Sequence, residues 1–105
     1  MNKKEEYSLN SKIKSKETDL LFKAILQLKN EEECYQFFED LCTINELKSL
    51  SQRLVVAKML SDGRVYSDIV EATGASTATI SRVKRSLEYG CDSYSMVFGR
   101  MGEDK

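Results

Sequence analysis

The 105-residue chain has no histidine and no proline, only five glycines and three cysteines. None of its apolar runs is long enough to cross a bilayer. Each shortage excludes something. Without histidine the commonest general base is missing, no cysteine sits in an activating setting, and no phosphate-binding glycine loop occurs. No nucleophile–base pair can be assembled, so an enzyme is not expected. With so few chain breakers, long helices joined by short turns are expected rather than sheet. The cysteines, Cys34, Cys42 and Cys91, are odd in number and not closely paired, which excludes a disulfide framework. Cys34 and Cys42 lie eight residues apart, so on one helix they would stand roughly 12 Å apart, beyond disulfide reach. All three read as buried apolar thiols in a reducing cytoplasm. The charged N-terminus lacks an apolar core, so neither a secretion signal nor a membrane anchor is expected.

What is present fits a single globular domain: 31% of residues are charged and 41% hydrophobic. A net charge of −1 and a pI of about 5.5 at first argue against a nucleic-acid partner. The distribution argues otherwise. Residues 17–46 hold eight acids against two bases, a local −6, whereas residues 64–86 hold Arg64, Arg82, Lys84 and Arg85 against Asp68 and Glu71, a local +2. The first sixteen residues carry five lysines against two glutamates. Binding responds to the field near the contact, so a polarised molecule can offer a basic face while staying acidic overall.

Residues 1–14 are polar, lysine-rich and aperiodic, and read as a mobile arm. Residues 15–90 read as one helical domain. Leu20, Leu21, Ala24, Ile25 and Leu28 recur at helical spacing. Asn30 followed by Glu31, Glu32 and Glu33 is a helix start, an N-cap with acids in the electropositive first turn. That helix shows an apolar stripe of Cys34, Phe37, Phe38, Leu41 and Cys42. Thr43 with Glu46 has capping-box form and opens a helix through Leu47, Leu50, Leu54, Val55, Ala57 and Leu60, ending near Asp62-Gly63. Its apolar residues nearly ring it, so it must be covered on more than one side, by the rest of the domain or by a second subunit. Residues 91–105 read as a short helix or a clinging tail.

Residues 65–88 read as a helix-turn-helix. Ile69 and Val70 supply the apolar middle of the first helix, and Gly74 supplies a turn residue that tolerates positive φ. Ser76 can cap the second helix, whose Ile80 and Val83 face inward with Ala75 and Leu87 flanking. The helical period then turns Thr77, Ala78, Thr79, Ser81 and Arg82 outward. Small hydroxyl residues let a helix sink into the major groove, threonine methyls meet thymine methyls, and Arg82 can reach guanine or phosphate. Lys84 and Arg85 most simply meet phosphates. Ser76, Thr77, Ala78, Thr79, Ser81, Arg82, Lys84 and Arg85 are therefore the expected DNA-contacting set, on a recognition helix over 76–88. An ordinary helical hairpin with a solvated basic end is the bland alternative, since cations near a helix C-terminus need no ligand.

Residues 41–87 resemble the Trp-repressor-like family, and the whole chain looks like its YerC/YecD-type branch. Leu41-Cys42-Thr43, the helix with Gln52-Arg53, and above all Gly74-Ala75-Ser76-Thr77-Ala78-Thr79-Ile80-Ser81-Arg82 carry the resemblance. It implies an all-α, intertwined homodimer with paired recognition helices spaced for a roughly palindromic operator. In the tryptophan-sensing member a threonine, two arginines and a serine surround the amino acid, and a glycine makes room for it. Thr43, Arg53, Arg82 and Ser86 match the polar positions, but Val83 stands at the glycine, and a tryptophan corepressor is not expected.

The resulting expectation is a cytoplasmic, dimeric, sequence-specific regulator, a repressor, whose partners are double-stranded DNA and a second copy of itself. No cofactor, metal or membrane is expected, and any small effector is unidentified. An alternative is a helical protein-interaction adaptor that uses its acidic face and keeps a vestigial helix-turn-helix.

Overall fold

A computed structural model of the chain describes residues 12–103, and every described regular element is an α-helix. The chain divides into two compact units, Met1–Thr43 and Ile44–Lys105, where the sequence pattern alone had indicated one domain. Most of the lysine-rich arm, residues 1–11, lies outside the described residues.

The first unit holds α1 (Lys16–Ile25) and α2 (Glu31–Leu41). Both begin on side-chain caps. Ser15 Oγ accepts the Thr18 N–H at 3.1 Å, and Asn30 Oδ1 accepts the Glu33 N–H at 2.9 Å. Glu33 returns the favour one residue earlier, its carboxylate accepting the Lys29 N–H at 2.9 Å. Each cap satisfies an amide that the first turn leaves without an intrahelical partner, and is worth about 1 kcal/mol. Phe37 and Phe38 meet edge to face at 5.6 Å. Neither helix buries a residue completely, and Leu20, at 70% exposed, and Leu26, at 79%, point away from any cover within the chain.

This openness corrects the expectation of buried thiols. Cys34 and Cys91 are exposed, Cys42 is half-buried, and all three are free. Helix α2 stops at Leu41, so Cys42 sits in extended backbone rather than on the helix with Cys34, and Cys91 lies between helices.

The second unit is built around α3 (Ile44–Ser61), which packs against α4 (Tyr66–Thr73), α5 (Thr77–Tyr89) and α6 (Ser93–Glu103). Helix α3 ends as the sequence pattern predicts. Gly63, at φ +81°, and Arg64 donate their N–H groups to the carbonyls of Leu60 and Met59, both at 3.0 Å, which is a Schellman closure. The core is small: Val56 and Ala57 from α3, Ile69 from α4, Ala75 from the turn, and Ile80 and Val83 from α5. Each large aliphatic side chain among them contributes about 1.5–3 kcal/mol by leaving water. Met59, Leu60, Tyr66, Leu87, Tyr94 and Phe98 pack around this centre. The segment after Cys91 is thus a helix, held by Tyr94 and Phe98, whose rings stack at 6.0 Å with the Lys58 ammonium 5.5 Å from the Phe98 ring. The near-ring of apolar residues on α3 is only partly covered: Val56 and Ala57 are buried, while Leu50, Leu54 and Val55 stay exposed.

Candidate nucleic-acid interface

Helix α4 ends at Thr73, and Gly74 adopts φ +70°, ψ +6°. That left-handed geometry reverses the chain without the steric cost a side chain would add. Residues 75 and 76 complete the turn. Ser76 caps α5, its Oγ accepting the Thr79 N–H at 3.1 Å while also donating to Thr79 Oγ1 at 3.1 Å. The helix-turn-helix expected over 65–88 is therefore present, with the second helix running one residue further, to Tyr89.

Two residues of the expected pattern are placed differently. Val70 is not an inward residue; it is 38% exposed, and Ile69 alone fills the middle of α4. A short helix with one completely buried position presents a single residue to the core, and Val70 is turned about 100° from it. Thr79 is half-buried beneath the Ser76 cap rather than fully outward, so its hydroxyl is already engaged.

The remaining expected contacts stand in the open. Ser76, Thr77, Ala78, Ser81, Arg82, Lys84 and Arg85 are exposed, while Ile80 and Val83 on the opposite side of α5 are buried. Neighbouring cations are paired within their own helix: Arg64 with Asp68 at 3.4 Å, Lys58 with Asp62 at 3.1 Å, and Lys84 with Glu88 at 3.9 Å. Lys84 also lies 5.7 Å from the Tyr66 ring. In contrast, among the described residues no polar group engages the guanidinium of Arg53, Arg82 or Arg85. Nor does the helix dipole account for the basic run. The helix continues to Tyr89, so its last turn carries no cation and Arg82, Lys84 and Arg85 occupy its middle. Ser81, Lys84, Arg85, Glu88 and Tyr89 line a shallow depression that is too open to enclose a small molecule.

The four positions that resemble an amino-acid pocket are scattered in role. Arg82 and Ser86 sit one turn apart on α5, where Ser86 Oγ donates back to the Arg82 carbonyl at 3.3 Å. Arg53 is exposed on α3, and Thr43 is the last residue of the other unit. Val83, at 3% exposed, belongs to the core.

Pattern reading passed over Gln52 and Thr73 as functional residues. The Gln52 amide donates to the Thr73 carbonyl at 3.1 Å, and the Thr73 hydroxyl donates to the Ile69 carbonyl at 2.7 Å while accepting the Ala75 N–H at 3.1 Å. A threonine just before a turn glycine is the one local signal, since its hydroxyl can bond nearby backbone.

The Trp repressor protein family model matches residues 16–102. The chain belongs to the Trp repressor family. Its family relatives include the uncharacterized protein YerC of Bacillus subtilis (strain 168), 61% identical over 92 residues, which make up 88% of each chain. Two crystal structures are similar throughout. One is a candidate Trp repressor from Staphylococcus aureus, 60% identical, with TM-score 0.83, covering 87% of this chain and 91% of that one. The other is a TrpR-like protein from Eubacterium eligens ATCC 27750, 62% identical, with TM-score 0.84, covering 89% and 96%. The Trp repressor family is one of DNA-binding transcription regulators, not enzymes. Among the described residues no helix is long and apolar enough to cross a membrane.

Proposed function

We propose that this Trp repressor family member acts as a homodimeric repressor that reads a roughly palindromic DNA operator with α5. One observation carries the proposal. A helix anchored by Ile80 and Val83 turns Thr77, Ala78, Ser81, Arg82 and Arg85 outward, with both guanidinium groups free of partners among the described residues. Small residues at the start of the helix permit close approach to base edges, Arg82 serves a guanine or a phosphate, and Lys84 and Arg85 serve phosphates. Ser76 and Thr79 hold the end of the helix that enters the groove. Dimerisation is supported by the apolar surface that one chain leaves open, with Leu20 and Leu26 on the first unit and Ile44 (75% exposed), Leu50 and Leu54 on the second. A patch of this kind on a chain of this size requires cover.

The protein acts without a tryptophan corepressor. Val83 stands where a pocket would need space, and its side chain is committed to the core. Whether the cell supplies another effector is asked by the same experiment that finds the operator.

The test is selection of bound fragments from a genomic or random DNA pool, with and without metabolite mixtures, followed by binding measurements on the enriched duplex. A palindromic consensus whose binding is lost in Arg82→Ala at unchanged helicity is expected. Recovery of a stoichiometric protein partner after nuclease treatment, with no enriched DNA, would favour the adaptor reading.

A further inference from the structure

The turn of the helix-turn-helix is held from outside by a side chain of α3. The carbonyl of Thr73, the last residue of α4, has no intrahelical partner, and Gln52 Nε2 donates to it at 3.1 Å across 21 residues of sequence. The Thr73 hydroxyl accepts the Ala75 N–H at 3.1 Å and donates to the Ile69 carbonyl at 2.7 Å, while the Gly74 N–H closes on the Val70 carbonyl at 2.8 Å. Ala75 is 2% exposed, so its amide needs that hydroxyl. Every polar group between the two helices that has just been named is thus fixed, and only the Gln52 bond ties the set to another helix.

We infer that Gln52 is a positioning residue for DNA reading: it latches the turn to α3 and so sets the pose in which α5 meets the groove. Residues 74–76 are the covalent link between α4 and α5, and a small rotation there swings the whole recognition helix. Val56 and Ala57, one turn further along α3, pack against the same region but are apolar and allow sliding. A directional hydrogen bond adds the missing constraint. The half-buried amide of Gln52 can be replaced by leucine, which keeps the packing and removes the donor.

This inference rests on the proposed DNA reading, and its test separates the two. The full-length wild type, Gln52→Leu and Gln52→Glu are titrated against an enriched duplex and a scrambled one, and amide exchange of Gly74 and Ala75 is followed in the free proteins by NMR. In Gln52→Leu, faster exchange at both amides and a loss of about 5–10-fold in specific affinity are expected, the size of one hydrogen bond. Affinity for the scrambled duplex, helicity and salt slope should be unchanged, because the phosphate contacts remain. Gln52→Glu should lose more, since its carboxylate faces the Thr73 carbonyl. A wild type without sequence preference would overturn the DNA reading, while the exchange rates would still judge the latch. Wild-type exchange and specificity in both variants would overturn the latch, as would equal losses on both duplexes.

Discussion

Arg82 and Val83 are adjacent in sequence and opposite in role. A step of 100° along α5 carries the chain from an exposed guanidinium without a partner to a methyl pair sealed in the core. If Arg82 reads a base edge, Arg82→Ala should cost about 1–3 kcal/mol on the operator and relax preference at one position of each half-site. Arg85→Ala should weaken binding on all sequences and reduce the salt slope by about one, as a phosphate contact requires. Fluorescence anisotropy at several salt concentrations distinguishes the two patterns, and their exchange would reassign the residues. Val83 governs the effector. Saturating L-tryptophan should leave operator affinity within about twofold, whereas coupling between an effector and DNA typically amounts to about 5–150-fold. A tryptophan-dependent gain in that range would show that the space Val83 fills is not needed.

At the scale of elements, helix ends were more legible than helix faces. Ser15, Asn30, Ser76 and the Asp62-Gly63 stop mark boundaries because caps and left-handed turns depend on local chemistry. Val70 and Thr79 were misread because a face is decided by what packs against it. The Gln52–Thr73 bond spans 21 residues and has no periodic signature. The turn itself gives a direct stability test. Gly74→Ala places a Cβ at φ +70°, where nothing crowds it but the backbone is strained, and should cost about 1–2 kcal/mol. Gly99→Ala, in the interior of α6 and with open space around it, should instead stabilise by about 0.5–1 kcal/mol. Thermal unfolding should therefore move in opposite directions for the two variants. Movement in the same direction would contradict the turn geometry.

At the scale of the molecule, the all-α class followed from scarce breakers and helical periodicity, and the chain-wide likeness to solved family members bears it out. The three thiols were the failure. Burial was inferred from residue type, but α1 and α2 bury nothing within one chain, so Cys34 is exposed. The same openness gives the dimer its test. Sedimentation of the wild type should report twice the 12.0 kDa chain mass. Leu20→Lys combined with Leu54→Lys should shift it towards one chain, because a charge on each exposed apolar face must be desolvated on association. A wild-type monomer at micromolar concentration would remove the basis for a two-fold operator.

The central claim is that α5 reads sequence, and the most direct measurement is the ratio of affinities for the enriched palindrome and a scrambled duplex of equal length, taken at near-physiological salt. The account predicts a ratio of at least about 10³, with both affinities falling as salt rises. It also predicts that Arg82→Ala lowers this ratio at unchanged helicity. Equal affinity for the two duplexes, or a ratio indifferent to Arg82, would contradict it.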